Sequence, residues 1–141
     1  MVQLIVGKKG KGKTKYLLDK VNSAIREAHG SIVYLDKSSK HMYELNNKIR
    51  LIDVSAFPLK NSDQFIGFIC GILSQDHDLE QMYLDSFLRL SGLEGNEAGV
   101  EKCIGQLEEL SKLFQVEFVL SVSMDKEELS ADLQSKTILA L

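Results

Sequence analysis

The sequence has little of several features that mark particular classes of protein. Its 141 residues include one proline and two cysteines, whereas 44% are hydrophobic and 26% are charged. This is the composition of an ordinary globular protein and not of a disordered chain. Cys70 and Cys103 each lie among apolar residues at helical spacing. We therefore expect both to be reduced residues of the core, with no disulfide and no metal-ligand spacing.

Long apolar runs are also absent. The longest one, around residues 65–73, is far shorter than the ~20 residues that a membrane-spanning helix needs. The start of the sequence shows no charged stretch followed by an apolar run and a small-residue cleavage site, so no secretory signal is visible. We expect no membrane span, a cytoplasmic location and a single domain over residues 1–141.

Positive charge is not in excess, because 17 basic and 20 acidic side chains give a net charge of −3. This balance is evidence against a broad nucleic-acid footprint, so nucleic acid is not indicated as a partner. The one local exception is a cluster of lysines at positions 8, 9, 11, 13 and 15. The obvious anion for such a cluster is a polyphosphate.

The same segment contains a phosphate-loop pattern. Residues 7–14, with the sequence GKKGKGKT, fit G-x-x-x-x-G-K-[ST] between an apolar strand candidate at 2–6 and a helical pattern that runs to about Ala28. Glycines let successive backbone N–H groups point at phosphate oxygens, and the start of the helix adds positive charge. The predicted anion site comprises Gly7, Lys8, Lys9, Gly10, Lys11, Gly12, Lys13 and Thr14.

On these residues the chain resembles the P-loop NTPase superfamily, over about residues 2–28. The resemblance implies that Lys13 reaches the β- and γ-phosphates and that the Thr14 hydroxyl is a ligand of Mg²⁺. It further implies a nucleoside triphosphate as the ligand. ATP with Mg²⁺ is our expectation, and GTP is left open.

Strand and helix patterns alternate along the chain. Strands are predicted at 2–6, 31–35, 50–54, 81–85, 116–122 and 137–141, and helices at 13–28, 63–74, 97–114 and after Asp125. This alternation predicts an α/β three-layer sandwich with a mainly parallel sheet. Residues 86–96 are predicted to be a loop. Gly67 and Gly71 share one face of the second helix, where we expect another backbone to approach closely.

A magnesium site of this kind also needs a carboxylate at the end of a neighbouring strand. Asp36 and Asp85 both end apolar runs. In the superfamily branch that inserts one strand between the phosphate-loop strand and the metal-binding strand, the later carboxylate has this role, which favours Asp85 over Asp36. The same resemblance implies that Ser121 or Ser123 lies near the γ-phosphate as a polar sensor.

Two groups that speed hydrolysis are not evident. Members of that branch typically follow the metal-binding aspartate with a glutamate that orients water, and this chain has Ser86. It has three arginines, of which Arg89 lies in the segment 88–96, expected to be a mobile rim, and could reach phosphate from this chain or from a neighbour.

We therefore expect catalytic roles for Lys13, Asp85 and Arg89, with slow hydrolysis that a protein partner or self-association completes. The alternatives are a kinase for a nucleoside or other small acceptor and a nucleotide-gated binding module without turnover.

Overall fold

The computed structural model describes residues 1–141 and contains one six-stranded sheet with helices on both faces. The strands are β1 (Val2–Val6), β2 (Ser31–Asp36), β3 (Arg50–Asp53), β4 (Leu79–Leu84), β5 (Glu117–Val122) and β6 (Thr137–Ala140). The α-helices are α1 (Lys13–Ala24), α2 (Ser62–Gln75), α3 (Phe87–Leu90), α4 (Val100–Phe114) and α5 (Ala131–Ser135). None of these helices combines the length and apolar character needed to cross a membrane.

The strand order is β3-β2-β4-β5-β1-β6, and every neighbouring pair is parallel. Strand β5 therefore lies between β1 and β4, with Ile5 opposite Ser121 and Leu84 opposite Leu120. Because all carboxyl ends meet at one edge, the segments that follow β1, β2 and β4 lie together there.

The core has two layers, one on each face of the sheet. On one face α1 buries Leu17 and Val21 against Ile5, Ile32 and Tyr34. On the other face α2 and α4 pack in the larger cluster of 27 buried residues, which takes in the alternate side chains of the same strands. The predicted three-layer α/β sandwich with a parallel sheet is confirmed.

Some element boundaries differ from the predictions. Helix α1 ends at Ala24 rather than about Ala28, because the chain turns to place the amides of His29 and Gly30 on the Glu80 carboxylate, at 3.0 and 2.5 Å. The capping signal at Asp125 belongs to a short 3₁₀ turn, and Ser130 instead caps α5.

Two further expectations, both about helix α2, are wrong. Cys70 is exposed, and only Cys103 is buried. No atom lies within 4 Å of a Cβ built on Gly67 or Gly71, so no backbone approaches that face of α2.

The segment predicted to be a loop after β4 contains helix α3. Its apolar side chains anchor it on the core, where Phe87, Leu88, Leu90 and Leu93 are all buried. Only part of the expected rim is therefore exposed, and Arg89 belongs to that exposed part.

Candidate functional site

The glycine loop connects β1 to α1 at the carboxyl edge of the sheet. Gly7, Gly10 and Gly12 have φ values of 151°, 85° and 92°, a region that side chains with a Cβ rarely adopt. Helix α1 then begins at Lys13, and no side chain caps it. Its first N–H groups and the positive end of its dipole are therefore available to an anion at the loop.

The lysines of the loop have defined partners. The Lys13 Nζ donates to the Lys8 carbonyl oxygen at 3.0 Å. A lysine at the first position of a helix is usually solvent-exposed, but Lys13 is only 8% exposed, and burial lowers its pKa. Lys8 pairs with Asp125 at 3.5 Å and Lys9 pairs with Glu94 at 3.4 Å. The buried ammonium inside the loop is thus the one contributed by Lys13.

A carboxylate from a separate strand lies against the end of this loop. Asp85 follows β4 and is 2% exposed, and its Oδ1 accepts a hydrogen bond from the Thr14 hydroxyl at 3.2 Å. The same Oδ1 accepts from Ser121 Oγ at 2.7 Å, and Oδ2 accepts from the Tyr34 hydroxyl at 2.9 Å. A hydroxyl beside a carboxylate is the hard-oxygen donor set that Mg²⁺ prefers, so these residues fit the implied metal.

The backbone directly after Asp85 is unusual. Ser86 has φ 60° and ψ 52°, a left-handed conformation that costs free energy in a residue other than glycine. Its N–H donates to Ser121 Oγ at 2.7 Å, while that hydroxyl donates to Asp85. The Ser121 hydroxyl therefore orients the carboxylate, and its role as a phosphate sensor stays a prediction.

The alternative carboxylate, Asp36, occupies a different environment. Its Oδ1 accepts from the Lys37 backbone N–H at 2.7 Å, and its buried Oδ2 has no hydrogen-bond partner. Burial, followed by the charge of Asp85, raises the pKa of Asp36. Asp36 makes no hydrogen bond to Thr14 and does not line the adjoining cavity.

A polar cavity of about 320 Å³ lies between the loop, Asp85 and α3. Its lining residues are Lys9, Gly10, Gly12, Lys13, Thr14, Lys37, Asp85, Ser86, Leu88, Arg89, Glu94, Ser121 and Ser123, of which one is hydrophobic. The structure therefore brings together most of the predicted site residues, Arg89 among them. Gly7, Lys8 and Lys11 belong to the loop but do not line the cavity.

Sequence reasoning missed Tyr34 and Lys37 as neighbours of the site. A tyrosine inside an apolar strand was the available signal for the first, since a buried phenol needs a hydrogen-bond partner. Burial, followed by the charge of Asp85, raises the pKa of Tyr34, so its hydroxyl stays protonated and donates. Lys37 directly follows β2 at the sheet edge where ligands bind in this class of fold.

The chain matches no protein-family model, and no curated protein matches its sequence. The case for a function therefore depends on the geometry of the cavity and its charged groups.

Proposed function

We propose that this protein is a member of the P-loop NTPase superfamily that binds a nucleoside triphosphate, ATP in the first instance, with Mg²⁺ at the glycine loop. The contact of Thr14 with Asp85, 71 positions apart in the chain, carries the proposal. A lysine-rich turn that matched the motif by chance would have no reason to hold a strand-end carboxylate against its last hydroxyl.

Each part of the cavity has a role in this proposal. The loop amides and Lys13 hold the phosphates, Thr14 binds the metal directly, and Asp85 holds it through a water. The metal, when bound, neutralises charge on the β- and γ-phosphates. The position of β5 between β1 and β4 supports the assignment, because that strand order is the one that favours Asp85 over Asp36.

Slow hydrolysis follows from the carboxylates that line the cavity. Asp85 has both oxygens engaged by hydroxyl donors, and Glu94 is paired with Lys9. Asp85 is therefore not free to orient an attacking water as a general base would, and Glu94 is drawn toward Lys9 in an exposed pair. We infer that a second component completes the reaction, and that the protein works in the cytoplasm, where ATP is available.

Nucleotide binding is tested by thermal unfolding with and without MgATP. A ligand that binds only the folded state stabilises it by RT ln(1 + [L]/Kd), which is about 2.7 kcal/mol at a hundredfold excess over Kd. Lys13→Ala should lose most of this shift. The matched control is Lys15→Ala, which removes the same charge from an exposed position that is paired only with Asp19. This variant should keep the full thermal shift. A full shift in the Lys13 variant would contradict the proposal.

The metal carboxylate is tested by calorimetric titration of ATP with and without Mg²⁺. Asp85→Asn should reduce the gain in affinity that Mg²⁺ provides, because it removes the charge beside Thr14. Asp36→Asn should leave that gain nearly unchanged, since Asp36 makes no hydrogen bond to Thr14. The reverse order of effects would show that Asp36 holds the metal.

A further inference from the structure

A second, smaller cavity adjoins the polar one at the carboxyl edge of the sheet. Its volume is about 220 Å³, and Lys37 and Arg89 line both cavities. The rest of its wall is mainly apolar and comes from Val54, Phe57, Leu59 and Leu90. The two spaces therefore meet at two cationic side chains.

These two cations have no carboxylate partner. None of the ion pairs in the structure involves Lys37 or Arg89, so no carboxylate oxygen lies within 4.0 Å of either charged group. Lys8 and Lys9, in the glycine loop, are both paired. Arginine and lysine side chains that share the wall of one cavity favour an anionic oxygen group there.

The apolar wall limits what else the ligand can contain. The Ser55 hydroxyl, the one other polar side chain there, donates to Asp53 at 2.6 Å and is thereby engaged. Phe57 packs on Phe68 with ring centroids 5.0 Å apart and is 47% exposed, so it forms an accessible aromatic wall. The volume lies below the ~300–1,000 Å³ typical of drug-sized ligands, which indicates a small molecule.

We propose that this second cavity binds a phosphoryl acceptor, a small carboxylate or phosphomonoester with an apolar body, whose anionic group lies between Lys37 and Arg89. The proposal depends on the triphosphate binding proposed above and names the component that completes the reaction. The segment after β3 forms the side of this cavity from which the acceptor enters.

The chemistry balances without a catalytic base. An oxygen anion of the acceptor forms a bond to the γ-phosphorus, and the bond from that phosphorus to the β,γ-bridging oxygen breaks, with its electron pair leaving on the nucleoside diphosphate. The product is an acyl phosphate or a diphosphate. Since the nucleophile is already an anion, no proton must be removed. This accounts for a cavity whose carboxylates, Asp85 and Glu94, are both engaged.

Binding is tested with the glycine loop filled by a non-hydrolysable ATP analogue and Mg²⁺, so that no probe can occupy the loop. The probes are phenyl phosphate and benzoate, and benzyl alcohol is the neutral control. Ligand-observed NMR measures the binding of each probe. At least one anion should bind roughly tenfold more tightly than the alcohol, a difference of about 1.4 kcal/mol. Phe57→Ser and Arg89→Gln should each weaken binding of that anion by a similar factor. Tyr43→Ser, at a 92% exposed position that lines neither cavity, should not.

The outcomes separate this proposal from the one it depends on. If the ATP analogue does not bind, both fail. If it binds but neither anion does, or the alcohol binds as tightly, or Phe57→Ser has no effect, the acceptor site is wrong and triphosphate binding stands. With MgATP in place of the analogue, ³¹P NMR should show a phosphorylated probe, and binding without transfer would overturn the acceptor role.

Discussion

Substitution of Tyr34 by phenylalanine removes one hydroxyl from the centre of the site and little else. The ring is fully buried and lies parallel to Tyr83, with centroids 6.2 Å apart and an interplanar angle of 12°. Phenylalanine keeps this packing but cannot donate to Asp85 Oδ2. Hydrogen bonds to charged groups contribute about 1.5–3 kcal/mol, so we expect Tyr34→Phe to lower the free energy of unfolding by about 2 kcal/mol at neutral pH.

Urea unfolding followed by far-UV circular dichroism measures this loss. With a slope of about 2 kcal/mol per molar urea, the midpoint should fall by roughly 1 M. The control is Tyr83→Phe, which removes the hydroxyl of a side chain that is buried to a similar degree and that bonds to the neutral amide of Gln81 at 2.8 Å, in a part-buried position. That bond contributes about 1 kcal/mol, so the midpoint should fall about half as far. Equal losses in the two variants would refute the reasoning that a charged acceptor makes the Tyr34 bond the stronger one.

Three other predictions concern separate properties. Because burial raises the pKa of Asp36, its ionisation costs stability as the pH rises from the unfolded value of about 3.9 through the raised folded value. The Asp36→Asn variant should therefore have a higher melting temperature than the wild type at pH 8, and this difference should disappear below about pH 4. Asp19→Asn, at an exposed position, should show neither effect. A difference in melting temperature that is the same at every pH would contradict this. In a native thiol titration Cys70 should react rapidly and Cys103 only after unfolding, because Cys103 is 1% exposed and burial raises its pKa to about 11; two rapid equivalents would count against the fold near α4. Purified protein should release phosphate from MgATP below ~1 s⁻¹, and rapid release that does not depend on protein concentration would show that one chain supplies every catalytic group.

Much of the fold could be predicted because two different periodicities alternate along the chain. Continuous apolar strands separated by amphipathic helices leave a parallel sheet as the consistent arrangement, and the ends of its strands then collect at one edge. That rule brings Asp36 and Asp85 alike to the edge where Thr14 lies, and the preference for Asp85 and the position of Ser121 came only from the resemblance to the P-loop superfamily. The Tyr34 contact could not be predicted, since it requires knowing that β2 lies directly beside β4.

The wrong predictions also concern features that depend on packing between distant parts of the chain. Helix α2 is apolar nearly all round, so its periodicity does not show which face is buried. The prediction that Cys70 is buried is wrong for this reason. The segment after β4 is rich in serine and glycine, which favours a loop. Three of its four buried apolar side chains lie in α3, which forms because the core offers them a surface, and a local pattern does not contain that information.

The Asp85 carboxylate receives hydrogen bonds from Thr14 on α1, Tyr34 on β2 and Ser121 on β5. Groups that share one acceptor do not contribute independently, so the effects of removing them should not add. In double-mutant cycles, positions 14, 34 and 121 should show pairwise coupling energies, although they are scattered through the chain. A single carboxylate thus makes an energetic unit of one helix and two strands, and those two strands, β2 and β5, are not hydrogen-bonded directly to each other in the sheet.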